Sequence, residues 1–177
     1  MKSVLISIQP KFVEKIVKGE KTIEVRKSRP KIETPFKCYI YCTKGKYVYE
    51  WLYRVDNNGY GKAQSWHGKV IGEFICDEVY EWKYDYCDGV DIDDDLILDT
   101  CLDREDINIY AKGKTLYGWH ISDLKIYDKP KSIMTFYKPC PIKLGFKNCP
   151  RCEFYSTDTG FCMNQIDRPP QSWCYVE

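Results

Sequence analysis

One short segment near the N-terminus carries charged side chains that could bind a polar ligand. The segment is Gly19-Glu20-Lys21-Thr22-Ile23-Glu24-Val25-Arg26, and its alternation of apolar and polar residues predicts a β-strand. Glu24 and Arg26 fall on one face of this strand and can form an ion pair, while Lys21 follows a glycine turn at the mouth of the strand. Two cations beside one carboxylate could receive an anionic or amide-bearing ligand. The alternative is an ordinary solvated strand edge.

Glu73 is a second candidate, because the strand predicted around it is apolar on both faces. It lies between Ile71 and Ile75 in the segment Lys69–Val79, which we expect to be a central strand. A buried carboxylate must find a cation or hydrogen-bond donors, or else its pKa shifts. We expect the cation to be Lys21 or Arg26. Glu73 is then either one half of a structural ion pair or a general base or ligand-binding group.

The C-terminal segment contains a cysteine pattern typical of a structural zinc site. Cys149 and Cys152 form a Cys-x-x-Cys turn, and Cys162 and Cys174 follow in a segment rich in turn residues. Four thiolates at such spacing can hold zinc tetrahedrally. Cys140 could replace Cys174 as the fourth ligand. The alternative is a set of reduced, unmetallated thiols.

The elements that must position these groups are mostly short strands. Proline at the first position and a terminal glycine predict one helix over residues 11–18, and an acidic stretch predicts a second over 91–111. Alternating apolar residues predict the strands, at 4–8, 21–27, 37–43, 47–55, 69–79, 115–122 and 124–127. The pattern indicates an α+β, mainly β fold, built as a barrel or a sandwich.

Composition limits the class of protein and its compartment. The chain has 177 residues, is 44% hydrophobic and 30% charged, and contains no apolar run of about 18 residues, so we expect no membrane span. The N-terminus lacks the features of a signal peptide, which predicts a cytoplasmic protein with reduced cysteines. The net charge of +1 conceals a segregation, with a net of +8 in residues 1–46 and of −11 in residues 77–106. The basic third could face phosphates, or the two blocks could neutralise each other.

Several of these segments, taken in order, resemble an ASCH domain, a branch of the PUA-like superfamily. The resemblance spans roughly residues 3–138 and is carried by a set of short motifs, which are Ile8-x-Pro10-x-Phe12, Gly19-x-Lys21-x-x-Glu24-x-Arg26, Tyr39-Ile40-Tyr41-Cys42-Thr43, Val70-Ile71-Gly72-Glu73-Phe74, Tyr117-Gly118-Trp119-His120-Ile121 and Tyr127-Asp128-Lys129-Pro130. The version here is similar to those of phage and prophage proteins. The resemblance divides the chain into an ASCH domain at 1–138 and a cysteine-rich tail at 139–177 packed on it.

This resemblance implies a PUA-like β-barrel with one or two flanking helices and a cleft between the Lys21–Arg26 segment and the Glu73 strand. ASCH domains are thought to bind RNA or nucleosides in that cleft. Lys21 and Arg26 would then contact phosphate or base oxygens, and Glu24 and Glu73 would accept hydrogen bonds from exocyclic amines. An aromatic side chain, Tyr41 or Trp119, would stack on the base.

Two other functions stay open at the level of sequence. Some small ASCH proteins are amidohydrolases that act on N(4)-acetylcytidine with a lysine, a threonine nucleophile and a glutamate. Lys21 and Glu73 match the lysine and the glutamate, but Glu24 occupies the threonine position, and a carboxylate is a poor replacement for a hydroxyl nucleophile. The third function is that of a phage protein-interaction module that uses the acidic block at 77–106 as its contact surface.

Overall fold

The structure is a computed structural model, and it describes residues 3–45, 53–54, 64–139, 155–156, 161–162 and 164–177. Two β-sheets and three α-helices make up most of this part of the chain. The strands in chain order are β1 (Ser3–Ile8), β2 (Ile23–Arg26), β3 (Phe36–Cys42), β4 (Tyr53–Arg54), β5 (Gln64–Ser65), β6 (Lys69–Cys76), β7 (Val79–Trp82), β8 (Tyr84–Asp85), β9 (Gly89–Val90), β10 (Leu116–His120), β11 (Ser122–Lys131), β12 (Tyr155–Ser156), β13 (Phe161–Cys162) and β14 (Trp173–Val176).

The larger sheet has five strands in the order β11-β6-β3-β1-β14. β1 and β3 are parallel, and the other neighbours are antiparallel. β6 lies inside the sheet between β3 and β11, which confirms the central strand expected over residues 69–79. The strand ends earlier than expected, at Cys76, and Val79 begins β7. β14, near the C-terminus, pairs with β1 at the opposite edge. The segment after residue 163 therefore completes the sheet that the N-terminal strand begins.

The smaller sheet has three antiparallel strands in the order β2-β10-β7. On β2, Ile23 and Val25 pack against the helices that follow β9, whereas Glu24 and Arg26 lie on the other face. This alternation is the one that the sequence predicts. The remaining strands form three short two-stranded pairs, β4-β5, β8-β9 and β12-β13.

The three α-helices are α1 (Pro10–Val17), α2 (Asp94–Thr100) and α3 (Arg104–Ala111). α1 begins at Pro10 and is followed by Gly19 at φ +75°, as the sequence predicts. The single helix expected over 91–111 is wrong, because Cys101 adopts a left-handed conformation with φ 53° and ends α2. Asp103 then caps α3, since its carboxylate accepts a hydrogen bond from the Asp106 amide.

Three apolar clusters hold these elements together. The first fills the space between the two sheets and α1 and includes Ile6, Ile40, Phe74 and Trp119. The second joins the smaller sheet to α2 and α3. The third lies on the other face of the larger sheet, under a 3₁₀ turn at Ile133–Thr135. This mainly β architecture with flanking helices agrees with the fold class expected from the sequence. In the described part of the chain, no helix has the length and apolar character needed to cross a membrane.

Candidate functional site

A cleft of about 920 Å³ opens between α1, the end of β2, α3 and the segment that precedes β14. The charged segment predicted to bind a ligand lies along its floor. The other lining residues come from parts of the chain far apart in sequence. The lining consists of Ser7, Gln9, Lys11, Phe12, Lys21, Glu24, Val25, Arg26, Lys27, Thr43, Leu102, Asp106, Ile109, Tyr110, Lys112, Pro169, Pro170 and Gln171.

Lys21 is a buried cation held by backbone carbonyls. Its side chain is 2% exposed, and its Nζ donates hydrogen bonds to the carbonyl oxygens of Ile23 at 2.7 Å and Thr100 at 2.6 Å. The ammonium also lies 5.1 Å from the centre of the Phe12 ring. Burial lowers the pKa of Lys21 below its ordinary value, although the Glu24 carboxylate acts in the opposite direction.

Glu24 lies between two cations. Its Oε1 accepts from Arg26 Nη2 at 3.0 Å, and its Oε2 lies 3.4 Å from Lys21 Nζ. Arg26 is fixed from the other side, since its Nη2 also donates to the Ser7 carbonyl oxygen at 2.6 Å. The Glu24–Arg26 pair is the one that the alternation of β2 predicts. The result is a buried Lys–Glu–Arg triad with a net charge of +1.

Two polar atoms of this triad lack a hydrogen-bond partner. They are Oε2 of Glu24 and Nε of Arg26, both buried on side chains that line the cleft. A buried polar group without a partner typically costs about 1–3 kcal/mol. Most buried polar groups in folded proteins are therefore satisfied, and exceptions ask for an explanation. One explanation is a ligand that supplies an adjacent donor and acceptor.

One wall of the cleft is aromatic and apolar. Tyr110 of α3 lies beside the triad, where burial raises the pKa of its hydroxyl against the opposing effect of the Arg26 guanidinium. The Lys27 ammonium lies 4.9 Å from the centre of the Tyr110 ring. Phe12 of α1 also lines the cleft, near Lys21. The cleft thus combines fixed charges at its floor with rings at its sides.

The part of the rim formed by the C-terminal segment is fastened through Ser7. The Ser7 hydroxyl donates to the Pro170 carbonyl oxygen at 2.7 Å, and the Ser7 amide donates to the Ser172 carbonyl oxygen at 2.9 Å. Because the Ser7 carbonyl also accepts from Arg26, one residue links the rim to the triad. The cleft therefore depends on the chain beyond residue 163 as well as on the N-terminal segments.

Glu73 lies outside this cleft, and the expectation that Lys21 or Arg26 would be its cation is wrong. Its Oε1 accepts from Lys37 Nζ at 3.0 Å and its Oε2 from the Tyr127 hydroxyl at 2.5 Å. These donors lie on β3 and β11, the two neighbours of β6. Together they hold the pKa of Glu73 below its ordinary range, against a partial burial that acts to raise it. Lys21 and Glu73 are therefore not brought together as an amidohydrolase pair would be.

The two aromatic residues expected to stack on a ligand are both in the protein interior. Trp119 is fully buried, with its ring against Phe36 and Trp173. It pairs directly opposite Glu24 across β10 and β2, so it supports the floor of the cleft from within. Tyr41 is 4% exposed and belongs to the third apolar cluster. Neither ring lines the cleft.

The zinc ligands predicted from the sequence fall mostly beyond the described residues. Cys140, Cys149 and Cys152 lie outside them, and of Cys162 the structure describes only the backbone, which belongs to β13. Cys174 is half-buried on β14, opposite Leu5 of β1. Among the residues that the structure describes, no cluster of metal-binding side chains occurs.

Sequence reasoning missed the contribution of α3 and of the C-terminal rim. Tyr110 and Ile109 lie in a stretch whose sequence is dominated by acidic residues, and nothing in their spacing marks them as part of a site. Pro169 and Pro170 indicate a bend, which is the single local signal for the rim. The Phe12 ring was within the first ASCH-like motif, but its place beside Lys21 follows from the packing of α1.

Comparison with known proteins supports the fold. No family model matches the chain, and no curated protein matches it either. Solved structures do match, among them the ASCH protein of Zymomonas mobilis, which is 17% identical with a TM-score of 0.55 over 99% of this chain and 88% of that one. Two single-substitution variants of that protein, a tyrosine-to-phenylalanine and a serine-to-alanine change, are each 16% identical with the same TM-score. At this identity the likeness is one of fold, and the fold is that of ASCH domain proteins.

Proposed function

We propose that this chain, which has the fold of ASCH domain proteins, binds RNA or a nucleoside in the cleft floored by Lys21, Glu24 and Arg26. The base enters the cleft edge-first. Glu24 accepts a hydrogen bond from an amine or imino group of the base, and Arg26 donates one to a neighbouring oxygen or ring nitrogen. Unpaired bases expose such adjacent donors and acceptors on their Watson–Crick edges.

The observation that carries this proposal is a pair of buried atoms that make no hydrogen bond. They are Glu24 Oε2, which lies 3.4 Å from the Lys21 ammonium as an ion pair, and Arg26 Nε. One is an acceptor and the other a donor, and both belong to side chains locked by an ion pair at 3.0 Å. The edge of a nucleobase has the complementary pattern. A ligand that satisfies both atoms would recover the free energy that their burial costs, and it would meet groups that are already in place.

The rings beside the triad support the same ligand class. Phe12 and Tyr110 line the cleft on elements that flank β2. Stacking of a base on an aromatic ring contributes about 1–3 kcal/mol and tolerates any base. The rings would thus provide affinity, and the Glu24–Arg26 pair would provide orientation.

A direct test measures the equilibrium binding of the four ribonucleosides by calorimetry, and that of a short single-stranded RNA by calorimetry or fluorescence anisotropy. In the Glu24→Gln variant the charged acceptor is lost, and a hydrogen bond to a charged group contributes about 1.5–3 kcal/mol. We therefore expect affinity to fall about 10- to 150-fold. Glu73→Gln is the matched control, because it makes the same chemical change on a carboxylate outside the cleft and should leave affinity unchanged.

Folding must be separated from binding in this test, since Glu24 is buried. Each variant is assayed at a temperature at which circular dichroism shows it fully folded. Tyr110→Phe, which keeps the ring but removes the hydroxyl, serves as a milder second variant and should weaken binding less than Tyr110→Ala. Equal affinity in wild type and folded Glu24→Gln would refute the proposal. Release of acetate from N(4)-acetylcytidine by the wild type would instead favour the amidohydrolase.

A further inference from the structure

A second cavity, of about 550 Å³, continues from the end of β2 and is not part of the cleft. It is formed by the loop of residues 27–33 together with Tyr117 of β10. Its cationic lining residues are Lys27, Arg29 and Lys31, and Glu33 is the acidic one. All three cations are exposed, and none of them forms an ion pair with a carboxylate among the described residues. The groove therefore presents a net charge of +2 to the solvent.

This basic groove and the cleft meet at the end of β2. Lys27 lines both cavities. In addition, Tyr117, which lines the groove, pairs directly opposite Arg26, which lines the cleft. Side chains directly opposite on antiparallel strands have their Cβ atoms about 4.5–5.5 Å apart on the same face. The cleft and the groove thus adjoin at Lys27 and at the Arg26–Tyr117 pair.

The loop that forms the groove is fastened to β14 on its inner side. Trp173 Nε1 donates to the Ser28 hydroxyl at 3.1 Å, and the Lys31 amide donates to the Tyr175 hydroxyl at 2.7 Å. Pro30 is buried between these two contacts. The three cations are therefore carried on a backbone held in place, while their charged ends stay in water. This arrangement suits a polyanion better than a mobile loop would.

We infer that the basic groove holds the phosphates of a single-stranded oligonucleotide whose base occupies the cleft. The inference rests on the proposed function and narrows it, because a free nucleoside has no group for the groove. The ligand is a phosphodiester strand and not a mononucleotide, because only a strand carries further negative charges beyond the nucleotide in the cleft. Lys27 contacts the phosphate at the junction, and Arg29 and Lys31 each contact one of the next two phosphates along the strand.

The test compares a nucleoside, the corresponding nucleoside monophosphate and a single-stranded RNA of about five nucleotides. The variant is the double change Arg29→Ala and Lys31→Ala, because both residues line the groove and neither lines the cleft. Its matched control is the double change Lys114→Ala and Lys129→Ala, which removes two exposed lysines that line neither cavity. Both double variants change exposed side chains and should fold as the wild type does.

Salt dependence provides the decisive readout. Each phosphate contact on a single strand contributes about 0.7 to the slope of log affinity against log salt. Removing two contacts should lower the slope by about 1.4, so between about 50 and 200 mM salt the wild type should lose about sevenfold more affinity than the groove variant. The wild type and the groove variant should bind the nucleoside with the same affinity. The control variant should keep the wild-type slope.

Other results would overturn the inference in distinguishable ways. If the groove variant binds the oligonucleotide with wild-type affinity and slope, the groove is not a phosphate site, and the nucleoside measurement then tests the cleft on its own. If the nucleoside monophosphate binds as tightly as the oligonucleotide, the ligand is a mononucleotide and the inference of a strand is wrong. If neither nucleoside nor oligonucleotide binds the wild type, the proposed function fails and the inference with it.

Discussion

The buried Lys–Glu–Arg triad leads to a strong prediction about stability. Glu24 is ion-paired with both Lys21 and Arg26, and the side chains of all three are at most 10% exposed. Removing one partner of a buried ion pair typically costs about 3–5 kcal/mol, because it leaves an uncompensated buried charge. In Glu24→Gln, Lys21 keeps its two carbonyl partners and Arg26 keeps the Ser7 carbonyl. We therefore expect the lower end, about 3 kcal/mol of lost unfolding free energy.

The size of this loss can be measured in two ways. For a chain of this length, 1 kcal/mol shifts the midpoint of thermal unfolding by about 2–4 °C, so Glu24→Gln should unfold about 6–12 °C below the wild type. Urea unfolding should show a lower midpoint with an unchanged slope. A double-mutant cycle with Lys21→Met then isolates the pair, since the double variant should lose less than the sum of the two single changes.

A small loss of stability in Glu24→Gln would contradict the electrostatic role of the triad. If Glu24→Gln loses under about 1 kcal/mol, or if the two changes simply add, the triad is not an electrostatic unit. Glu73→Gln is again the matched control. The side chains of Glu73 and Lys37 are 20% and 31% exposed, so solvent screens their pair and the loss should be smaller.

Three further predictions follow from other features. Burial lowers the pKa of Lys21 in the folded protein, so just below pH 10.5, the ordinary pKa of lysine, the unfolded chain holds more protons than the folded one. The free energy of unfolding should therefore rise with pH in that range, and it should rise more in the wild type than in Lys21→Met. Equal pH profiles of the two proteins would contradict this. Gly118→Ala should cost about 1–3 kcal/mol in urea unfolding, because the new Cβ would overlap the Trp82 ring, and an unchanged midpoint would refute the packing. Metal analysis of untagged protein should find about one zinc per chain, lost when Cys149 and Cys152 are both changed to Ser; two disulfides would overturn the site.

The sequence predicts well those parts of the fold that depend on local patterns. Pro10 and Gly19 bound α1 because proline suits a first helical position and glycine tolerates a positive φ. The alternation along β2 places Glu24 and Arg26 on one face, and this is sufficient to predict their ion pair. The apolar character of β6 on both faces is sufficient to predict that it is a central strand.

Features that depend on which distant segments meet could not be predicted in the same way. The cation that binds Glu73 comes from β3, and its tyrosine partner comes from β11, so the pairing follows from strand order and not from any local signal. The break between α2 and α3 occurs at Cys101, a residue that rarely adopts a left-handed conformation. Tyr110 reaches the cleft because α3 packs on the smaller sheet.

The measurement that tests the account most directly is a crystal structure of the protein soaked with a short single-stranded RNA. The account predicts a base in the cleft, with a donor of its edge about 2.7–3.2 Å from Oε2 of Glu24 and an acceptor at a similar distance from Nε of Arg26. A strand bound elsewhere, with these two atoms still making no hydrogen bond, would contradict it.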